Sequence, residues 1–381
     1  MKINIKVSKI IDIMDLTTRF VSKNATLPIL QNVYIKASID GILFRATDME
    51  KYIEIEMPGD VKLEWAITVN AKTLSDIIRT IEDENVEISV DQKSQIMTIK
   101  SAKDVFDINW IAASEYVALP DMPRDNVVWV DTQLFSKGIE KVEFAVTEKS
   151  FSPVMTWMYL RSKEVEWNKQ LIFVGTDSFR LAEYKTIPTK LNGDISLIIP
   201  KITIIDVKKI NDFAFSKECD EVKIYYSQNL VAFEYPSVDG MKIVSTSLLI
   251  QWNFPEYDNE AIMPKDFNTK IMLDKWLCEK SIRKIWILTR DINNFIQITT
   301  NKDSITISSW KTDKWAWTTS IPAIIEWQEV SFGVNWRYIS DLIKLLEWEE
   351  LIFNIVDAQK PMILEDKNDA NYKYVVRPLM N

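Results

Sequence analysis

The chain repeats one order of predicted strands and helices three times. One repeated unit is a set of strands with alternating apolar and polar residues. In its first two copies a Thr-Asp dipeptide follows, at Thr47-Asp48 and Thr176-Asp177. The predicted strands are residues 33–37 and 42–46, then 158–161 and 171–175, and in a weaker third copy 295–299, 304–309 and 311–321. Tandem copies of one pattern predict structurally similar units.

The other repeated unit is a strand, a helix and two further strands, and it alternates with the first unit. Its helices are predicted from apolar residues at 3.6-residue spacing, such as Leu74, Ile77, Ile78 and Ile81. The predicted elements are 66–69, 71–81, 86–90 and 96–100, then 196–199, 200–217, 222–226 and 230–235, then 330–332, 335–346, 351–356 and 361–365.

The alternation of the two units predicts an α+β fold of three domains. We expect the domains to be residues 1–125, 126–253 and 254–381, called below the first, second and third repeats, each with two helices and about eight strands. The length agrees, because 381 residues exceed the roughly 250–300 at which one hydrophobic core stops growing.

The composition excludes several classes of enzyme. The chain has no histidine, so neither a Ser-His-Asp hydrolase nor a histidine-ligated zinc site is available to it, and we expect no metal and no cofactor. Cys219 and Cys278 lack CxxC spacing and are expected to be free thiols in a reducing compartment. No apolar run approaches a membrane span, and the first ten residues do not resemble a signal peptide, which predicts a cytoplasmic chain without a membrane partner.

Positive charge is concentrated in the predicted helices. Residues 8–23, 71–81, 131–146, 200–217, 273–285 and 335–346 hold 17 Lys or Arg against 11 Asp or Glu, while the whole chain carries −9. A locally basic surface on an acidic protein suits contact with nucleic-acid phosphates. Ordinary solvated helix faces would show the same surplus, so charge alone leaves both interpretations open.

Glycine and tryptophan are present in unusual numbers, 7 and 14. At the average usage of about 7 %, glycine would number roughly 27. Several tryptophans, such as Trp167, Trp252 and Trp348, stand between polar residues where turns favour glycine. We hypothesise that UGA codons meaning glycine are translated here as tryptophan; the alternative is a genuinely tryptophan-rich protein.

A set of motifs in a fixed order resembles the bacterial DNA sliding clamp, the beta subunit of DNA polymerase III. The motifs are residues 26–30 (TLPIL), 46–50 (ATDME), 175–182 (GTDSFRLA), 254–257 (FPEY), 335–338 (NWRY) and 374–379 (YVVRPL). They span the full length and all three repeats. The family usually has glycine where Trp157, Trp252, Trp167 and Trp286 stand, which agrees with the codon hypothesis.

The resemblance implies a processivity factor that catalyses nothing itself. Each repeat would be a clamp domain with two inner helices and outer antiparallel sheets, and one chain would form half of a closed ring. Two chains would join head to tail, the first repeat against the third, with Phe106, Ile287 and Leu288 at the centre of the contact. The ring would encircle double-stranded DNA without sequence preference, at the nucleoid.

The resemblance also assigns residues to DNA and to partner proteins. DNA would be met by basic residues on the helices and in one loop: Lys9, Arg19, Lys23, Lys72, Arg79, Lys137, Lys141, Lys201, Lys208, Lys275, Lys280, Arg283 and Lys344. The replicative polymerase, the clamp loader and repair proteins would insert short linear peptides into an apolar groove. The groove residues would be Met155, Thr176, Phe179, Arg180, Leu181, Pro255, Ile262, Tyr338, Val375, Pro378 and Leu379.

Some residues depart from the family pattern or allow another interpretation. Ser178-Phe179 stand where the family often has Gly-His, and Arg377 adds a charge beside the groove. Arg180 has a simpler role open to it, as the ion-pair partner of Asp177. Two other functions remain as alternatives: a β-rich peptide-binding scaffold that does not encircle DNA, and an enzyme using Asp48 and Asp177 as metal-binding carboxylates. The second is disfavoured because these residues lie in different repeats.

Overall fold

The structure, a computed structural model, describes residues 2–22, 27–59, 61, 63–147, 157–165, 168–289 (without the side chains of 286–289), 294–309, 317–347 and 349–379. Its contacts divide the chain into two compact units. Unit 1 comprises Met1–Ser136, Pro188–Asp194 and Ile202–Gln251, and unit 2 comprises Lys137–Ile187, Ile195–Lys201 and Trp252–Asn381.

Unit 1 contains two antiparallel sheets. The smaller has the strand order β1 (Lys2–Lys6), β6 (Asn85–Asp91), β7 (Ile96–Lys100), β8 (Val105–Asn109). The larger has the order β14 (Lys190–Leu191), β10 (Asn126–Asp131), β16 (Glu221–Tyr226), β17 (Leu230–Val238), β18 (Met241–Leu248), β4 (Lys51–Met57), β3 (Gly41–Thr47), β2 (Asn32–Ser38), β5 (Trp65–Asn70), β9 (Ile111–Ala112).

Unit 2 contains one long antiparallel sheet. Its strand order is β15 (Ser196–Pro200), β11 (Trp157–Val165), β12 (Asn168–Thr176), β13 (Arg180–Thr186), β26 (Tyr372–Val376), β25 (Met362–Asp366), β24 (Glu350–Ile355), β19 (Thr269–Asp274), β22 (Thr318–Trp327), β21 (Ser304–Ser309), β20 (Phe295–Asn301), β23 (Ser331–Asn335).

The described residues form six α-helices, two in each predicted repeat. They are α1 (Val7–Thr17), α2 (Ala71–Thr80), α3 (Thr132–Glu143), α4 (Lys201–Ser216), α5 (Lys275–Thr289) and α6 (Trp336–Ile343). In unit 1, α1 packs against α2, and in unit 2, α5 packs against α6. None of the described helices combines the length and apolar character that a membrane crossing requires.

Local sequence explains these elements. Strand β6 reads NVEISVD, and its apolar residues Val86, Ile88 and Val90 are buried while the residues between them are more exposed. Helix α2 begins after Asn70, whose side chain accepts a hydrogen bond from the backbone N–H of Thr73 at 3.0 Å. Asn335 caps α6 in the same way, accepting from Arg337 N–H at 2.9 Å.

The predicted elements are present with small shifts at their ends. The helix predicted over 71–81 is α2 (Ala71–Thr80), and the one over 200–217 is α4 (Lys201–Ser216). The helix predicted over 8–23 is shorter, because α1 ends at Thr17, where the hydroxyls of Thr17 and Thr18 donate to Ile13 O and Met14 O. The strand predicted over 311–321 is observed as β22 (Thr318–Trp327), and residues 310–316 lie outside the described residues.

Adjacent repeats are joined by one type of strand pairing. In unit 1, β4 of the first repeat pairs antiparallel with β18 of the second, for example Ile53 with Ser245. In unit 2, β13 of the second repeat pairs antiparallel with β26 of the third, for example Ala182 with Tyr374. Each pair joins the fourth strand of one repeat to the last strand of the next, so the sheets continue from repeat to repeat.

Two tryptophans bear on the codon hypothesis. Trp327 has φ of 80°, in the left-handed region that favours glycine, and its side chain is 68 % exposed. Trp252 lies in a bend and is 64 % exposed. An indole at either position gains little from burial, which supports glycine there. Trp167 and Trp348 lie outside the described residues.

Candidate functional site

Two turns with the same hydrogen bonds follow β3 and β12, the third strands of the first two repeats. In the first, the hydroxyl of Thr47 donates to Lys51 O, and the Asp48 carboxylate accepts from the backbone N–H groups of Glu50 and Lys51. In the second, Thr176 donates to Arg180 O at 2.7 Å and Asp177 accepts from the N–H groups of Phe179 and Arg180. Asp48 and Asp177 therefore act as turn-stabilising carboxylates, which accounts for both residues without a metal.

The second turn places Arg180 among several partners within unit 2. Its guanidinium donates to Asp177 at 2.9 Å, to Asp341 on α6 at 2.7 Å and to Phe144 O at 2.9 Å. It also lies over the Tyr338 ring, with its central carbon 4.7 Å from the ring centre. Burial alone would lower the pKa of Arg180, but the neighbouring oxygens of Tyr374, Asp341 and Asp177 raise it above its ordinary value. The expected pair with Asp177 is thus one part of a larger cluster.

A groove of about 380 Å³ opens beside this cluster in unit 2. Seven of the expected groove residues line it: Thr176, Phe179, Arg180, Leu181, Pro255, Ile262 and Val375. Its base is an apolar cluster that includes Ile172, Val174, Met263 and Ile363. The site is concave and mostly apolar, with a few charged groups at its border, as is usual for sites that bind peptides or small ligands.

Three expected groove residues lie elsewhere, and one lies outside the described residues. Tyr338 is covered by Arg180 and contributes to the cluster rather than to the lining. Pro378 is buried, and Leu379 makes reciprocal backbone contact with Gly333 on β23, its N–H donating to Gly333 O at 2.9 Å. None of these three residues is among those that line the groove, so their assignment to it stays a prediction. Met155 is not described.

Aromatic residues of the FPEY motif form one wall of the groove. Phe254 stacks on Tyr159 with ring centres 4.4 Å apart, and meets Tyr257 edge to face. The Tyr257 hydroxyl donates to the buried Glu183 carboxylate at 2.7 Å. Burial raises the pKa of Tyr257, and the charge of Glu183 raises it further. This wall is fixed by its own contacts before any ligand binds.

Sequence reasoning missed part of the lining. The missed residues are Ser178, Phe254, Tyr257, Ala261, Gln359, Lys360 and Pro361. Phe254 and Tyr257 belong to a motif that was recognised, so their position in it was an available signal. Gln359 and Lys360 lie in a turn that Asp357 closes by accepting both their backbone N–H groups. No periodicity in the sequence marks that turn as part of the groove.

Phe179 and Arg377 lie side by side at the border of the groove. The Phe179 ring is 51 % exposed, which is unusual for a large apolar side chain next to a cavity. The backbone N–H of Arg377 donates to Phe179 O at 2.8 Å, and the Arg377 side chain is exposed. Ser178 beside them has φ of 75°, a conformation that favours glycine.

The expected DNA-facing residues fall into three groups. Six are exposed: Arg19, Lys72, Arg79, Lys280, Arg283 and Lys344. Five are half-buried: Lys9, Lys137, Lys201, Lys208 and Lys275. Lys141 is buried, with its ammonium donating to Leu345 O at 2.9 Å beyond the end of α6, so the expectation that it faces DNA is wrong. Lys23 is outside the described residues.

Most of these cations have acidic or carbonyl partners. Arg19 pairs with Asp206 at 3.5 Å and Lys208 with Asp212 at 2.9 Å, while Arg79 pairs with Asp15 and Lys9 with Asp239. In unit 2, Lys137 pairs with Glu347, Arg283 with Glu279 and Lys344 with Asp341. Lys201 and Lys275 donate to Val146 O and Leu346 O. The helices thus carry fewer unshared positive charges than their composition suggests.

The expected dimer contact is described only in part. Phe106 is half-buried on β8, at the edge of its sheet, and the exposed Val105 precedes it. The side chains of Ile287 and Leu288 are outside the described residues. Within the described part of the chain, acidic residues and cysteines form no cluster suited to a metal ion, and Cys219 and Cys278 are free and buried.

Comparison with known proteins decides the family. Three family models cover nearly the whole chain: DNA polymerase III beta subunit, N-terminal domain (residues 1–120), central domain (129–256) and C-terminal domain (260–380). The chain belongs to the DNA polymerase III beta subunit family. It therefore consists of three clamp domains, as expected from the repeats. Members of this family are accessory processivity subunits of the polymerase in DNA replication and are not themselves catalytic.

Relatives and solved structures of this family match the chain from end to end. Beta sliding clamps of Bacillus subtilis strain 168 and Staphylococcus aureus are 26 % and 24 % identical, covering 100 % of the chain and 99 % of each relative. The sliding clamp structure from Bacillus subtilis has a TM-score of 0.88 at 25 % identity, covering 100 % of this chain and 99 % of that one. The pol III beta structure from Caulobacter crescentus has a TM-score of 0.90 at 23 % identity and full coverage of both chains, which shows the shared fold.

Proposed function

We propose that the chain works as a head-to-tail homodimer that closes around double-stranded DNA and holds the replicative polymerase on it. The observation that carries the proposal is a pair of open strand edges. Strand β8 ends its sheet, and residues 318–322 of β22 pair only with β21 among the described strands. The corresponding strands of the other repeats form the β4–β18 and β13–β26 pairs.

These edges suit a closed assembly. Unpaired edges of long sheets promote association with other chains. Among the described strands, no strand of another repeat pairs with β8 or with residues 318–322 of β22. Pairing β8 of one copy with β22 of another satisfies both edges, and a head-to-tail contact of this kind forms a ring when its rotation closes after a fixed number of copies. We infer closure after two, with Phe106, Ile287 and Leu288 in the contact.

Contact with DNA in such a ring needs little affinity. A closed ring is held on DNA by its topology, so weak contacts with phosphates, independent of sequence, are sufficient. We assign these contacts to the exposed helix residues Arg19, Lys72, Arg79, Lys280, Arg283 and Lys344. Because several of them pair with neighbouring acids, they can exchange these partners for phosphates at low cost, which favours sliding.

The groove in unit 2 is the docking site in this proposal. Short linear peptides of the polymerase, the clamp loader and repair proteins would place apolar side chains against Leu181, Pro255 and Val375. Arg377 and Lys360 at the border favour peptides that also carry acidic residues. We further propose that the domains divide near residues 125 and 253 and that the ring is found at the nucleoid. A peptide-binding scaffold without DNA is disfavoured by the family.

Retention on circular DNA tests the ring. We expect clamp-loader-treated protein to stay on nicked circular DNA through gel filtration and to leave the same DNA after it is cut at one site. A protein that binds the outside of DNA without sequence preference would be retained equally on the circular and the linear DNA. Equal retention on the circle and the linear form, at matched salt, would refute encirclement.

A further inference from the structure

We propose that Asp76 on α2 is an ion-pair acceptor that a second copy of this chain covers with a basic residue of its third repeat. The proposal rests on the head-to-tail dimer proposed above and names a residue that makes the contact. It is carried by a comparison of α2 with α4 and α6, the second helices of the other two repeats.

An aspartate occupies the same position in all three helices. Asp76, Asp206 and Asp341 are each the sixth residue of their helix, counted from Ala71, Lys201 and Trp336. Because each helix follows the equivalent strand of its repeat, the three carboxylates occupy equivalent places. Two of them are already engaged by a cation from the preceding repeat.

Asp206 is engaged within unit 1. The Lys51 ammonium pairs with it, and both side chains are nearly buried, at 5 % and 6 % exposure. Lys51 comes from the turn after β3, the third strand of the first repeat. It donates to Arg19 O and lies over the Phe20 ring. The first repeat therefore supplies the cation for the helix of the second.

Asp341 is engaged in the same way within unit 2. Arg180 comes from the equivalent turn of the second repeat and donates to Asp341 at 2.7 Å. It also donates to Phe144 O and lies over the Phe144 ring, just as Lys51 donates to Arg19 O and lies over the Phe20 ring. The second repeat supplies the cation for the helix of the third.

Asp76 differs from the other two aspartates because it has no ion-pair partner among the described residues. It is exposed, and no cation lies within ion-pair distance of it among the described residues. Thr73 and Thr80, on the same face of α2, are also exposed. On α4 the matching residues Thr203, Asp206 and Ile210 are 2 %, 4 % and 0 % exposed. The face that is covered on α4 is uncovered on α2.

The order of the repeats identifies what covers this face. In both internal cases the cation belongs to the repeat that precedes the helix. Among the described residues, no other repeat supplies a cation to Asp76, and no further helix receives one from the third repeat. The third repeat of a second copy therefore fits the open face. DNA does not fit it, because a carboxylate repels phosphate.

Charge reversal tests the proposal. We expect Asp76→Lys to raise the dimer Kd by at least about tenfold in sedimentation equilibrium, since removing one partner of a buried interface pair weakens association by this much or more. Asp76→Asn should have a smaller effect in the same direction. The matched control is Asp40→Lys, with the same charge change at another exposed position in unit 1, and its Kd should equal that of the wild type.

Mass spectrometry locates the partner. Mixed unlabelled and ¹⁵N-labelled protein is treated with a carbodiimide, which joins paired carboxylates and lysines without a spacer. A link between Asp76 of one copy and a lysine of the other copy within residues 260–380 supports the proposal. A Kd for Asp76→Lys equal to that of Asp40→Lys, or a link to another repeat, would overturn it. Wild-type protein that stays monomeric would instead refute the proposed dimer itself.

Discussion

Single residues with several partners stabilise the junctions between repeats. Arg180 donates hydrogen bonds to two carboxylates and to one carbonyl at the end of a helix. Lys51 contacts one carboxylate and one carbonyl in the equivalent position. A guanidinium has five donors in a plane, whereas an ammonium is a point charge. This difference explains why the position with two acidic partners carries arginine.

Removing Arg180 should be costly. We expect Arg180→Met to lower the free energy of unfolding by about 3–5 kcal/mol, because Asp177 would remain largely buried without a counter-charge and Asp341 would keep only the exposed Lys344. Adding Asp341→Leu should recover part of this loss. Urea denaturation of both variants and of Asp341→Leu alone gives the coupling energy. Strictly additive effects would show that the two side chains do not depend on each other.

Trp327 offers a test of backbone strain. Because its φ is 80°, a side chain with a Cβ is disfavoured there by about 1–2 kcal/mol. We expect Trp327→Gly to increase the unfolding free energy by about 1 kcal/mol. The neighbouring control Gln328→Gly, at a residue without positive φ, should decrease it by about 0.5–1 kcal/mol. The opposite signs separate relief of strain from a general effect of glycine. Mass spectrometry of the native protein then tests the codon hypothesis at this site.

At the scale of elements, the sequence predicted those features that neighbouring residues determine, and it did not predict those that depend on distant contacts. Strands such as β6 and helices such as α2 follow from the spacing of apolar residues and from a capping residue, so their ends were predicted to within a residue or two. Helix α1 ended early because threonine hydroxyls return to its carbonyls, which spacing does not reveal. The burial of Lys141 depends on Leu345, 204 residues away, and no local pattern carries that contact.

The groove shows the same limit. Motif residues such as Leu181 and Val375 line the groove, whereas the motif residues Tyr338, Pro378 and Leu379 do not. The turn at Gln359 and Lys360 joins β24 to β25, and it reaches the groove only because β25 lies beside β26 in the sheet. Strand order is a property of the whole sheet, so the sequence of one turn cannot indicate it.

An exposed phenylalanine makes the groove testable. We expect Phe179→Ala to raise the Kd of a labelled peptide from the polymerase of the same organism by roughly tenfold or more, since a large apolar contact at a binding site contributes about 2 kcal/mol. Phe215→Ala is the control, because Phe215 is 47 % exposed and lies on α4 in unit 1. Equal binding by both variants in fluorescence polarisation would place the peptide elsewhere.

At the scale of the whole molecule, the absence of histidine shapes the response to pH. No side chain in the chain has an ordinary pKa between that of the carboxylic acids and that of the thiols. The stability should therefore change little between about pH 6 and pH 8. Loss of stability is expected at either side of this range, and on the alkaline side the responsible groups can be named.

Alkaline unfolding should begin near the ordinary pKa of a thiol. Burial raises the pKa of Cys278 from 9.0 to about 12, and burial also raises the pKa of Tyr235, Tyr372 and Tyr374 above 10.0. These groups are neutral when protonated, so the unfolded chain releases their protons at a lower pH than the folded chain does. The contribution of these groups to the free energy of unfolding is therefore fully present below about pH 9. It falls as the pH rises from there to about 12, by up to roughly 1.4 kcal/mol per pH unit for each group. Urea denaturation across this range should show a smaller slope between pH 9 and 10 for Cys278→Ala than for the wild type. An unchanged slope would mean that the thiol ionises equally well in the folded chain.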